Sequence, residues 1–147
     1  MALSVPLLHL DPELALPAYA KEGDAGADLL ARESHVLSAG GGRALIPTGV
    51  AVAIPEGYAG FVLPRSGLAL RHGVTCLNAP GLIDAGYRDE IRVILVNHDP
   101  TEPFKIEVGD RIAQLVIQEV APIEWDEVDD LGETIRGQGG FGSTGRQ

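Results

Sequence analysis

Val50-Ala51-Val52-Ala53-Ile54 sets its large residues at every second position and lies between Pro47 and Pro55. That is the period of a β-strand with one buried face, closed at both ends by residues that interrupt sheet pairing. Working outward, Ile91 to Val96 is almost continuously apolar, broken only by Arg92, which suits a strand buried on both faces or packed at a subunit contact. Ile112 to Ile117 reads the same way, and Ala44–Ile46 and Phe61–Leu63 add shorter strands with turn residues between them. The chain has 19 Gly and 10 Pro in 147 residues, against an average usage of about 12% for the two together, so it is punctuated too often for long helices. Many brief strands point to an all-β sandwich, barrel or jelly roll. One short helix is expected over Ser66 to His72, with Ser66 capping its first turn and Gly73 ending it in a left-handed conformation.

This length fits a single domain, taken as residues 1–135. Its last part, 119–135, carries the acidic residues Glu119, Glu124, Asp126, Glu127, Asp129, Asp130 and Glu133, and reads as the end of a final strand followed by a solvated linker. Residues 136–147 form a Gly-rich arm that cannot pack a core. Ordering glycine costs the most chain entropy, so the arm stays mobile unless a ligand compensates, the plain alternative being a frayed tail. A net charge of −10 repels polyphosphate and argues against a nucleic-acid polymer as partner. A small anion remains admissible where Arg65, Arg88, Arg111 and Arg136 converge, although each also suits a solvated surface. One cysteine, Cys76, cannot form an intramolecular disulfide, and Met1 to Pro6 lacks a basic n-region, so a cytoplasmic location is expected. Every apolar run falls short of the ~20 residues that cross a bilayer, and no membrane partner is expected.

Four stretches can carry chemistry. The arm contains Gly137-x-Gly139-x-x-Gly142, which matches the dinucleotide fingerprint in letters but lacks the strand before it and the helix and strand after it. Its unobstructed amides, the hydroxyls of Ser143 and Thr144 and the charge of Arg136 can still wrap phosphate oxygens, and Phe141 offers a face for a base. Pro64-Arg65-Ser66-Gly67-Leu68 opens the short helix, where an arginine beside free amides suits an anion as well as it suits ordinary capping. Gly81 to Glu90 is a turn with Asp84 and Tyr87 near its tip. Asp84 is either a general base for a water attacking phosphorus or an aspartate bonding its own turn amides. Asn78 presents a donor and an acceptor that can read a base edge or brace a turn. There is no P-loop motif and no Gly-x-Ser-x-Gly elbow, and His9, His35, His72, His98 and Cys76 lack ligand-like spacing. Any catalytic metal therefore arrives with the substrate, as magnesium does on phosphates.

Five segments in order, Ala25-Gly26-Ala27-Asp28-Leu29, Pro64 to Leu68, Gly81 to Glu90, Gly109 to Leu115 and Arg136 to Gly145, resemble the five motifs of the homotrimeric dUTP pyrophosphatase family. The resemblance implies a distorted jelly-roll or β-clip barrel and a homotrimer whose active sites are shared between subunits. It implies hydrolysis of dUTP to dUMP and pyrophosphate by water attack on the α-phosphate, with Mg2+ bridging the phosphates. By the same resemblance, the hairpin of Asn78, Gly81 and Ile83 reads uracil, and Tyr87 lies under the deoxyribose and excludes a 2′-hydroxyl. Arg65, Ser66, Gly67 and Gln114 hold the phosphates, Asp84 deprotonates the water, and Asp28 touches the water shell of the metal. The arm becomes a lid on a neighbouring subunit, with Phe141 on uracil and Arg136, Gly142 and Ser143 on the phosphates.

Asp89 departs from the family pattern, which has glycine after Tyr-Arg, and puts the local geometry around Arg88 in question. Two alternatives stand beside the hydrolase: a dCTP deaminase-like enzyme of similar fold, and a non-catalytic nucleotide-binding regulatory protein. Pro64 to Leu68 matches the pyrophosphatase form of its motif rather than the serine-rich deaminase form.

Overall fold

A computed structural model describes residues 2–146, so Met1 and Gln147, the outer ends of the expected domain and arm, lie outside the described residues. The strands are β1 (Leu7–His9), β2 (Ala27–Leu30), β3 (His35–Leu37), β4 (Gly42–Pro47), β5 (Val50–Val52) and β6 (Tyr58–Leu63), followed by helix α1 (Ser66–His72). Then come β7 (Val74–Cys76), β8 (Gly81–Ile83), β9 (Arg92–Asn97), β10 (Phe104–Ile106) and β11 (Arg111–Glu119). They pair antiparallel into sheets ordered β2-β11-β6-β8 and β4-β9-β7, with two-stranded pairs β1-β5 and β10-β3. The expected barrel is thus an open, jelly-roll-like packing of separate sheets rather than a closed cylinder. One core joins them, with Leu29, Ile46, Val93, Leu95, Ile106 and Ile112 at its centre.

The helix spans the expected residues, but its cap does not. Arg65 occupies the N-cap position at φ −95° and ψ 128°, and no side chain bonds the first turn. Because Arg65 is the residue in extended geometry, helical geometry starts at Ser66 itself and its hydroxyl sits one residue too late to cap. Gly73 does end the helix, at φ 64°, with its amide donating to the Ala69 carbonyl. The Val50 stretch also differs from its reading, since Val50, Ala51 and Val52 are all buried. Strand β1 lies along one edge of β5, the Ile91 amide bonds to the Val50 carbonyl at 2.8 Å, and alanine has too little side chain to reach water.

Past Glu119 the described residues form no strand. Val120 donates to the Gly57 carbonyl, and beyond it the bonds among described residues are local to the segment. Burial pushes the Cys76 thiol up to about 11, which keeps it protonated and inert at neutral pH.

Asn97, fully buried, ties three elements together. Its Nδ2 donates to the carbonyls of Leu37 (3.2 Å) and Glu102 (2.9 Å), and its Oδ1 accepts from the Asp99 amide at 2.9 Å. Asn97→Leu leaves those groups dry and unpartnered, at an expected cost on the order of 3 kcal/mol. Thermal unfolding at fixed protein concentration should show a midpoint about 10 °C lower, and an unchanged midpoint would mean that the bonds are dispensable.

Candidate active site

Strand β6 carries two surfaces. Val62 pairs with Gly81 of β8 and Gly60 with Ile83, so these four residues share one face of the sheet. Leu63 pairs with Gln114 of β11, and Gln114 with Asp28 of β2, so these three share the opposite face.

On the first face a cavity of about 260 Å³ is lined by Val62, Asn78, Gly81, Ile83, Asp84 and Tyr87, with Arg92 at its side. Gly81 is needed there: a Cβ would come within 3.3 Å of the Val62 Cβ and 3.4 Å of Asn78 Nδ2. Tyr87 is held by its hydroxyl, which donates to the Glu90 carbonyl at 2.9 Å. The turn closes through main-chain atoms, Tyr87 N–H to the Asp84 carbonyl at 3.1 Å. Asp84 therefore differs from Asp11, Asp24, Asp99, Asp110 and Asp130, whose carboxylates accept nearby amides. Among the described residues nothing bonds the Asp84 carboxylate, which stands exposed at the rim. An acidic group without a structural duty, beside a cleft, is available to take a proton.

On the opposite face a cavity of about 420 Å³ is lined by Gly26, Asp28, Arg65, Ser66, Gly67 and Gln114. Asp28 lies between two guanidiniums, 3.7 Å from Arg65 Nε and 3.7 Å from Arg111 Nε. Arg65 also donates to the Arg111 carbonyl at 3.2 Å, and Gln114 Nε2 to the Pro64 carbonyl at 3.2 Å. Positive charge thus gathers locally on a chain of net charge −10. Of the four arginines for which the sequence left convergence or a solvated surface open, Arg65 and Arg111 come together. Arg88 instead bonds the Ala85 and Tyr87 carbonyls, and Arg136 bonds Gly139 within the arm. Arg71, unforeseen, reaches over Gly67, its Nη2 2.6 Å from where a Gly67 Cβ would sit. The signal was the helical spacing, since Arg71 follows Gly67 by four residues.

Arg136, Phe141, Gly142 and Ser143 line neither cavity, and Phe141, at φ 50°, is fully exposed. Asp89 answers the question raised by its sequence. Phe141 is the one non-glycine described residue at positive φ, so the Asp89 backbone is ordinary and the turn survives without glycine. The Asp89 carboxylate accepts the Glu90 amide at 2.7 Å and pairs with Arg92 at 3.3 Å. Those contacts, the amide first, hold its carboxyl below the usual range.

No group of three or more His, Cys, Asp or Glu side chains converges among the described residues. The donors present fit a cation carried on phosphates and met through water by Asp28, not an ion held by the chain alone.

The dUTPase family model matches residues 13–145. The chain belongs to the dUTPase family. It is 60% identical over 141 residues to a deoxyuridine 5'-triphosphate nucleotidohydrolase of Thermobifida fusca, covering 96% of this chain and 78% of the relative. A Streptomyces avermitilis protein of the same name is 58% identical over 143 residues, covering 97% and 81%. Among solved structures, the Staphylococcus bacteriophage 80alpha dUTPase with dUPNHPP superposes with a TM-score of 0.88 at 29% identity, covering 99% of this chain and all of that one. A mutant dUTPase of phage phi11 of S. aureus, which coordinates a structural Mg(II) ion, gives 0.80 at 27%, covering 88% and 99%. Membership of the dUTPase family favours the hydrolase over the deaminase-like alternative.

Gly26, in the first dUTPase motif, gives Gln114 its room. A Cβ there would fall 2.6 Å from Gln114 Oε1 and 3.1 Å from its Cβ. Gly26→Ala should swing Gln114 off Pro64 and lower kcat/KM for dUTP roughly tenfold or more, since misplacement by ~1 Å can cost 10². Wild-type kcat/KM in a folded Gly26→Ala protein would show that Gln114 is not needed in this position.

Proposed function

We infer that this dUTP-hydrolysing enzyme acts as a homotrimer in which one copy supplies the base and sugar surface and another the phosphate surface. The observation that carries this is the pair of cavities on opposite faces of the β2-β11-β6-β8 sheet. Within one copy they look away from each other, so a nucleotide that uses both must lie between copies.

The reaction is cleavage of dUTP to dUMP and pyrophosphate. Uracil enters the cavity beside Asn78, Gly81 and Ile83, whose narrowness rejects larger bases. The Tyr87 ring underlies the deoxyribose and refuses a 2′-hydroxyl by clash. Ser66, Gly67, Gln114 and Arg65 of a second copy hold the phosphates, with Arg71 and Arg111 adding charge. Asp84 accepts a proton from the water that attacks the α-phosphorus, and pyrophosphate leaves. Asp28 would meet the water shell of a magnesium ion carried on the phosphates, which would supply charge neutralisation there. The arm closes over the site, placing Phe141 on the base and Arg136, Gly142 and Ser143 on the phosphates, so that binding offsets the entropy of ordering its glycines. Orientation on this scale can contribute ~7–11 kcal/mol to lowering the barrier. The reaction belongs in the cytoplasm, where a single buried Cys76 meets no oxidising demand.

Asp84→Asn should keep dUTP affinity within a few-fold while turnover falls by ~10² or more. Stopped-flow pyrophosphate release together with equilibrium binding measures both, and an unaffected turnover would remove Asp84 from the chemistry. Deleting 136–147 should cripple turnover while sedimentation shows the assembled particle unchanged. Full activity in that truncated protein would contradict the lid.

A further inference from the structure

The turn that carries Asp84 and Tyr87 is tied internally only by short-range bonds. Its firm attachment to the body lies at its far end, at Glu90. This is the one buried carboxylate among the described residues, and its exposed fraction is 7%. A buried carboxylate is tolerated only where charge and donors meet it; Arg92 Nη2 stands 4.0 Å from Oε1, and the closer partners, on Oε2, come from two segments distant in sequence. Arg32 Nη1 donates to Glu90 Oε2 at 3.0 Å, and the Gly49 amide donates to the same oxygen at 2.8 Å. Arg32 is itself held by Asp11 at 3.4 Å and by the Leu10 carbonyl at 3.4 Å. Gly49 takes φ 76°, and a Cβ there would press on Asp11 and Leu14 at 3.1 and 3.3 Å. The amide that reaches Glu90 is thus fixed by a turn that only glycine enters without strain.

From Glu90 the linkage runs directly to the site. The Glu90 carbonyl receives the Tyr87 hydroxyl at 2.9 Å, and its neighbour Ile91 lines the base cavity and bonds to Val50 and Thr48.

We propose that Glu90 and Arg32 are positioning residues that hold the Tyr87 ring and the Asp84 turn in register with the base cavity, from behind and without touching substrate. The proposal rests on the reading of Tyr87 as the sugar platform. Its consequence is specific: loosening the anchor lets the ring yield, and the clash that excludes a 2′-hydroxyl weakens.

The test is the ratio of kcat/KM for dUTP to that for UTP. Partial unfolding lowers both values equally and cancels, so a merely structural role leaves the ratio alone. Glu90→Gln and Arg32→Met should each lower the ratio about tenfold. The double variant should be no worse than either single one, because both break one linkage. Arg32→Lys, which keeps the charge, should stay within about threefold of the parent. Should Glu90→Gln fail to fold, Arg32→Met alone decides, since Arg32 is one-third exposed. An unchanged ratio in the folded variants, or additive losses in the double variant, overturns the proposal. Asp84→Asn judges the proton-transfer reading separately: loss of turnover there with an unchanged ratio in Glu90→Gln would sink the anchor and leave the reaction scheme standing.

Discussion

Strand β6 lies between β11 on one edge and β8 on the other, and the rest of the site follows from its pleat. Successive side chains of a strand point to opposite faces, so Val62 lines the cavity beside Asp84 and Tyr87, and Leu63 the cavity beside Arg65 and Gln114. Pairing register then spreads this division across the sheet, with Gly81 and Ile83 on one side and Gln114 and Asp28 on the other. A shift of one residue in either pairing would exchange the faces and dismantle both cavities together. The buried apolar face prevents that shift, which makes core packing the source of precision in the site.

Electrostatics is solved locally against the sign of the whole. With a net charge of −10, long-range steering disfavours a polyphosphate, and attraction must come from groups within a few ångströms. Asp28 sets the guanidiniums of Arg65 and Arg111 by pairing with both at 3.7 Å. These distances are loose for ion pairs, so each arginine keeps donors to offer an incoming phosphate. Asp28 thus orients positive charge without cancelling it.

Much of this was legible in the amino-acid order because proline and glycine act locally. Pro47, Pro55 and Gly73 bound elements whose apolar runs declare them, and the span of α1 follows directly. Ser66 misled because capping depends on the backbone of a single residue, and Arg65 rather than Ser66 takes the extended cap geometry. Asp89 raised a difficulty that its ordinary backbone removes. Arg71 was missed although its spacing from Gly67 was visible, because an exposed helical arginine has many uses. The Arg32–Glu90 link could not be read at all, since nothing short of the folded topology brings residues 58 positions apart to one oxygen.

The segment after β11 carries large apolar side chains that the described fold leaves uncovered. Ile123, Trp125, Leu131, Ile135 and Phe141 are exposed, and the chain from 121 onward bonds only to itself among described residues. Acidic residues between them keep such a segment in water, but they do not repay the exposure of a tryptophan. A surface outside one copy would cover these side chains and give the arm a fixed point from which to reach a cavity. Covering the apolar residues before the arm, with most of the segment's glycines in its last dozen positions, would confine the entropy cost of ordering to the glycine-rich part.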